Sequence, residues 1–322
     1  MKSTMVLATY NGSKFIGEQL ESIVNQTRRP DRVIIADDRS TDGTPEICRK
    51  ILEKSGIDYE IRVNPKQMGA ARNFMKLAAE ADGDVIFFCD QDDIWDTDKI
   101  RQTMIPFEEN KDCTMAFCDA DVWYPEQPVT QTMNEFIGFD TGIQKGGEGF
   151  LDMNRFWNQL INRSLINGMN MAVRADVAAK QAEPLMMLHD AWFTLQAAAM
   201  GRVYCINAPL AKYRQHSANV SGADGRLTKK KMSNSRQKVL KSFEGTQERI
   251  RIIRELDEEH HMLSKENREK LKAYAAYEEK REQAITRHSG ISYLMNERKY
   301  KGYGFSSSKQ LMIRDLMVTM SR

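Results

Sequence analysis

Between the fourth apolar run of the chain and Trp95 stands Cys89-Asp90-Gln91-Asp92-Asp93-Ile94-Trp95, with three carboxylates in four positions. Like charges packed this closely repel unless something positive neutralises them. Carboxylate oxygens suit a hard divalent cation, Mg²⁺ or Mn²⁺, and such a cation usually keeps positions free for phosphate oxygens. The spacing therefore predicts metal-assisted chemistry on a phosphorylated donor.

The elements around this stretch must hold it in place. Val85-Ile86-Phe87-Phe88 is short and wholly apolar, which predicts a strand buried on both faces of a parallel sheet. The carboxylates then sit just past its carboxyl end, where open α/β sheets bind ligands. Three similar units come first. Met5-Val6-Leu7-Ala8 reads as a strand that turns at Thr9-Tyr10-Asn11-Gly12 into a helix over about 13–26, with Ile16, Leu20, Ile23 and Val24 on one face. Residues 32–36 form a second strand, ended by Asp37-Asp38-Arg39-Ser40. Thr44-Pro45 reads as the N-cap and first residue of the next helix. Residues 59–63 form a third strand, and a helix over about 69–81 leads back to the apolar run. Four alternations of strand and helix predict a parallel sheet wound with helices.

Beyond Trp95 the pattern predicts a helix near 98–110 and a strand near 114–120. A loop-rich stretch over 123–149 follows, then a turn and short strand in 165–173. A helix opens at His189-Asp190 and runs to about 200, a last strand covers 203–206, and Tyr213 to Gly222 closes the domain. From about 229 proline disappears and charge dominates, which predicts two or three amphipathic helices joined near 257–264 and 290.

The net charge of +2 conceals an asymmetry. Residues 226–322 carry 23 Lys and Arg against 13 Asp and Glu, while residues 1–225 carry 24 against 32. A basic tail suits an anionic partner such as a membrane surface, a nucleic acid, or an acidic glycan or lipid phosphate; a solvated helical face is the plainer alternative. The five cysteines lack a C-x-x-C pair and lie partly inside apolar patterns, which predicts reduced, buried thiols in a cytosolic protein. No apolar stretch approaches the roughly 18–20 residues that cross a bilayer, and the start lacks the apolar core of a signal peptide.

These motifs, in this order, resemble family 2 glycosyltransferases of the GT-A fold, in particular the bacterial rhamnosyltransferase-like branch. The resemblance covers residues 4–222. It rests on Ala8-Thr9-Tyr10-Asn11-Gly12, Asp37 to Thr44, Gly69-Ala70-Ala71-Arg72-Asn73, Asp90 to Trp95, Gly168-Met169-Asn170-Met171-Ala172, His189-Asp190 and Tyr213 to Gly222. Ala8 stands where the family commonly has proline, and Ala191-Trp192-Phe193 follows His189-Asp190 where two aromatics are common. The resemblance implies a GT-A domain over 1–225, a mostly parallel sheet wound with helices, followed by a basic helical extension over 226–322.

It also implies roles. Ala8, Thr9, Tyr10 and Asn11 would line the nucleotide site, with the Tyr10 ring able to stack on a base. Asp38 would accept from a pyrimidine imide N–H, with Asp37 as an equal alternative. Arg72 would help hold the base or diphosphate. Asp90, Gln91 and Asp92 match the D-x-D motif, with Asp92 as metal ligand, Asp90 near the ribose or a metal-bound water, and Asp93 as a cap of the next turn. His216 would be a late metal or diphosphate ligand, with Arg214 an extra anion contact. Asp190 would be the general base of an inverting transfer. Gly168, Met169, His189 and Trp95 would face the acceptor or donor sugar.

The expected activity is metal-dependent transfer of a sugar, such as rhamnose, from a UDP- or dTDP-sugar. The acceptor would be a hydroxyl of a surface polysaccharide or its lipid-linked precursor. The expected place is the cytoplasm, or its membrane face through an anionic membrane surface, with no nucleic-acid partner and a homodimer through the C-terminal helices as a further expectation. A P-loop or a G-x-G-x-x-G turn is absent. The rival is a catalytically silent scaffold that binds a nucleotide sugar or a partner transferase.

Overall fold

Ser3–Thr9 (β1), Arg32–Asp37 (β2), Asp58–Val63 (β3) and Val85–Cys89 (β4) pair as parallel neighbours in the order β3-β2-β1-β4. The computed structural model describes residues 1–182, 187–216, 236–303, 305, 315–316 and 318–319. Every side chain of β4 is buried, as a strand covered on both faces requires. Each fully buried Ile or Phe there contributes roughly 1.5–3 kcal/mol relative to exposure.

The crossovers are the predicted helices. Ile16–Val24 (α1) buries Ile16, Gln19, Leu20 and Ile23, and the Gln19 amide nitrogen finds the Cys89 thiol at 2.9 Å. Thr44–Ser55 (α2) starts one residue earlier than its sequence suggests. Gly43, with φ +84°, takes the cap position and Thr44 is already helical; a left-handed cap falls to glycine because it lacks a Cβ. The Thr44 hydroxyl instead accepts from the Gly12 N–H at 2.9 Å. Ala70–Glu80 (α3) leads back to β4.

The second half of the sheet is mixed. After Ile94–Trp95 (β5) and Lys99–Glu109 (α4) comes the long strand Cys113–Trp123 (β6). Met133–Ile137 (α5), Glu148–Phe150 (β7), Met153–Leu160 (α6), Met171–Arg174 (β8), Ala175–Ala178 (α7), His189–Met200 (α8) and Arg202–Arg214 (β9) follow. The strand β8 runs antiparallel between β4 and β6, and β6 pairs parallel with β9, which also carries β5 and β7 antiparallel. The full order is β3-β2-β1-β4-β8-β6-β9-β5, with β7 on β9.

The chain divides into two compact units, Met1–Met153 with Ser164–Ala223, and Asn154–Arg163 with Asp224–Arg322. The second unit contains Arg236–His260 (α9), Lys265–Thr286 (α10) and Gly290–Tyr300 (α11), around a core of Val239, Phe243, Ala284, Ile285 and Tyr293. Residues 154–163 join it through polar ties. The Arg249 guanidinium donates to the carbonyls of Leu160 at 2.8 Å and Arg163 at 2.6 Å, which satisfies the open carboxyl end of α6. Lys270 Nζ donates to Asn158 O at 2.6 Å and Asn267 Nδ2 to Asn154 O at 2.9 Å. No helix among the described residues is long and apolar enough to cross a membrane. Residues 217–222 of the closing motif and 226–235 of the extension lie outside the described residues.

Candidate active site

The loops after β1, β2 and β4 come together at one edge, because parallel neighbours end on the same side. Asn11, at φ +46°, donates its backbone N–H to Ser40 Oγ at 2.7 Å and accepts from the Thr41 N–H at 2.9 Å. The Gln91 amide grips the Tyr10 backbone at both ends, accepting from its N–H at 2.9 Å and donating to its carbonyl at 3.1 Å. The Tyr10 ring remains 49% exposed, free to meet a flat ligand. Ala8 is half-buried beneath it and Thr9 is buried, its hydroxyl donating to Asp37 Oδ2 at 2.8 Å.

Both members of the Asp37-Asp38 pair are engaged within the protein. Asp37 is fully buried and accepts from Ser40 N–H at 2.7 Å as well as from Thr9. Asp38 accepts from Asn64 Nδ2 at 3.1 Å, Met68 N–H at 2.8 Å and Gly69 N–H at 2.9 Å, so it ties the segment before α3 to the end of β2. Arg72 is exposed on the first turn of α3.

The carboxylates after β4 divide by burial. Asp93 is wholly inside, accepts from the Arg214 N–H at 3.0 Å, and among the described residues has no partner for Oδ2. Burial, with Asp92 and Asp90 adding to it, raises its carboxyl well above the ordinary range, and its visible role is to brace the Arg214 backbone. Asp90 is half-buried; burial, then the charges of Asp92 and Asp190, pushes it up to about 7. That influence places Asp190, at the amino end of α8, within electrostatic reach of the D-x-D motif. Asp190 Oδ1 accepts from the Ala191 N–H at 2.6 Å.

Asp92 and His216 meet. Their side chains, 124 residues apart in sequence, lie with Nε2 2.9 Å from Oδ2, and the imidazole stacks on Phe15 at 4.5 Å. Arg214 secures this corner. Its Nε donates to Asp92 O at 2.7 Å, its terminal nitrogen pairs with Glu18, and its guanidinium lies over Trp123 at 4.5 Å. Among the described residues no group of three or more His, Cys, Asp and Glu is placed to hold a metal. The Asp92–His216 pair nonetheless suits an ion that draws its remaining oxygen ligands from a diphosphate and water. Burial first, and then the neighbouring carboxylates, raises both Asp90 and Asp93, while Lys99 acts in the opposite sense.

Two expected sugar contacts are instead core residues. Trp95 is 3% exposed, with Lys99 Nζ 3.8 Å above its ring; in the two-residue strand β5 alternation turns Ile94 outward and Trp95 in. Met169 is 1% exposed, and it is its carbonyl that is used, accepting from Lys99 Nζ at 2.6 Å. Gly168 and His189 do lie together. A Cβ on Gly168 would stand 2.6 Å from His189 Nε2. The imidazole is 7% exposed, stacks on Phe74 at 4.1 Å, and among the described residues has no hydrogen-bond partner on either nitrogen. Burial pushes it down to about 3, so it is neutral.

Lys99 is the residue that motif reading misses. It is 1% exposed, and burial lowers its ammonium below the usual range while it faces Asp90 and Asp93. Its signal was present: Lys99 shares the i, i+4, i+8 stripe with Thr103 and Phe107, both buried.

A family model described as "Glycosyl transferase family 2" matches residues 4–175. The chain belongs to glycosyl transferase family 2. This transferase is 31% identical over 229 residues to the dTDP-rhamnosyl transferase RfbG of Shigella flexneri, covering 68% of this chain and 74% of that one. Its fold is similar to residues 1–349 of S. aureus TarS in complex with UDP-GlcNAc, at TM-score 0.56 and 17% identity over 99% of this chain and 90% of that one. It is also similar to the mannosyltransferase PcManGT of Pyrobaculum calidifontis in complex with GDP-Man and Mn²⁺, at TM-score 0.56 and 13% identity over 99% and 85%. Against the longer TarS chain it spans 37% of the length. The GT-A fold read from the motif order is the fold of this transferase, and a helical C-terminal region follows it.

Proposed function

We propose that this glycosyltransferase is inverting and metal-dependent. It would take a sugar, rhamnose in the first instance, from a dTDP- or UDP-sugar and place it on a hydroxyl of a surface polysaccharide or its lipid-linked precursor. The observation that carries this reading is the meeting of Asp92 and His216 beside Asp90, whose carboxyl feels the charge of Asp190. The similarity to RfbG supports the donor class.

In this reading the exposed Tyr10 ring receives the base, on a frame of Ala8, Thr9, Asn11 and the buried Asp37 and Asp38. Gln91 holds Tyr10 and, with Asp90, faces the ribose, while Arg72 meets the base or diphosphate. Asp92 and His216 would hold Mg²⁺ or Mn²⁺, which when bound supplies positive charge to the departing diphosphate. Asp190 accepts the proton of the acceptor hydroxyl as its oxygen bonds to the anomeric carbon; the bond to the diphosphate oxygen breaks on the opposite face. The amino end of α8 favours Asp190 in its ionised, proton-accepting form. Gly168, packed against the buried, neutral His189, would shape the acceptor side.

The test is a panel of dTDP- and UDP-sugars with Mg²⁺ or Mn²⁺, following release of nucleoside diphosphate. Release from one donor, abolished by chelation, supports the reading. Tight donor binding with no release from any donor, with glycan acceptors supplied, favours the scaffold instead.

A further inference from the structure

One spacing gives α11 two faces. Tyr293, Asn296, Glu297 and Tyr300 are buried, while Ile291, Leu294, Met295 and Arg298 form the opposite stripe at i, i+3, i+4 and i+7. The buried face is anchored by polar bonds as well as packing. The Tyr277 hydroxyl donates to Glu297 Oε1, and Asn296 Nδ2 donates to Tyr277 O at 3.0 Å. These bonds draw inward the one carboxylate that α11 carries. Apart from Ser292, what remains outside is apolar or cationic. Ile291 is 75% exposed, Met295 68% and Leu294 48%, with Arg298, Lys299 and Lys301 beside them and Tyr303 at 47%. Arg287 and His288 precede the helix, and both are exposed. Over 287–303 every exposed charged or titratable side chain other than tyrosine is therefore basic.

A cluster of large apolar side chains in water, rimmed by charge, marks an interaction surface. The sign of the rim selects an anionic partner. Lys and Arg can lay their stems along an apolar boundary while their charged heads stay wet, and tyrosine suits the same boundary. At 11 residues α11 is too short to span a bilayer but suited to lie on one. We propose that this face of α11 docks on the surface of an anionic phospholipid bilayer. Ile291, Leu294 and Met295 enter the acyl boundary, and Arg298, Lys299 and Lys301 meet headgroup phosphates. The surface stands on the second unit alone and does not depend on the assignment of the transferase site.

The experiment is flotation of the full chain with phosphatidylcholine vesicles, with and without phosphatidylglycerol. Binding is expected only to the anionic vesicles and is expected to weaken as salt rises. The pair Leu294→Ser with Met295→Ser, and separately Arg298→Glu with Lys299→Glu, are each expected to weaken it about tenfold while helical circular dichroism is unchanged. Failure of the full chain to bind anionic vesicles overturns the proposal, as does wild-type binding by either double variant. A dimer that the apolar double variant disperses, with vesicle binding unchanged, overturns it in favour of a second copy of the chain.

Discussion

At the scale of single residues, Asp190 is proposed to take the acceptor proton, and the adjacent His189 is neutral and buried. Asp190→Asn is expected to lower turnover by about 10²–10⁴-fold while nucleoside diphosphate affinity stays near wild type; initial rates beside calorimetry check both. His189 gives a pH prediction with a definite sign. Its folded-state value is pushed down to about 3 from 6.5. Above 6.5 both folded and unfolded states hold it neutral. As pH falls through the window from 6.5 to 3 the unfolded chain takes up a proton that the native site refuses, so stability is lost. The loss from this group at pH 5 relative to pH 7.5 is about 2 kcal/mol, measurable by urea unfolding, and His189→Leu should lose correspondingly less between the two pH values. The crowding of the acidic motif was legible from residue types alone, whereas Asp190 and His216 were singled out only through the family resemblance. It misplaced Trp95 and Met169 because proximity to a motif says nothing about which face a side chain takes. It passed over Lys99 because a lysine on a helix is ordinarily solvated, and only the stripe it shares with Thr103 and Phe107 betrays its burial.

At the scale of elements, β1 to β4 and their helices were readable from apolar runs and period alone. In the second half α4, β6 and α8 were readable as well, but α5, β7, α6 and the full length of β9 were not. The strand β9 continues through Pro209 to Arg214, and its register on β6 shifts between Cys118 and Asp119, so no clean alternation marks it. Its length matters, because Arg214 and His216 reach Asp92 and Asp93 only if the strand runs that far. The turn at Gly168 is likewise set by a partner on another element. Gly168→Ala places a methyl 2.6 Å from His189 Nε2, where a ring stacked on Phe74 has little room to retreat. We expect a loss of about 1–3 kcal/mol, seen as a lower urea midpoint with an unchanged slope.

At the scale of the whole molecule, the chain combines a mildly acidic first part with a basic helical tail. The tail's three helices and their joints were visible as a change of composition. Residues 154–163, which group with that tail, were not, because their partners lie some hundred residues away, as with Asn158 and Lys270. All five thiols are free and buried, and burial raises Cys48 and Cys113 to about 12. An aromatic disulfide reagent at pH 8 should therefore label none in the native protein within minutes and five after unfolding. The central claim is that Asp92 and His216 join loops into a metal-dependent nucleotide site. Its most direct test is calorimetric titration of dTDP and UDP into the wild-type chain and Asp92→Ala, with Mn²⁺ and with chelator. Saturable binding that requires Mn²⁺ and weakens at least about tenfold in Asp92→Ala is expected; equal affinity in chelator, or in the variant with Mn²⁺ present, would contradict the claim.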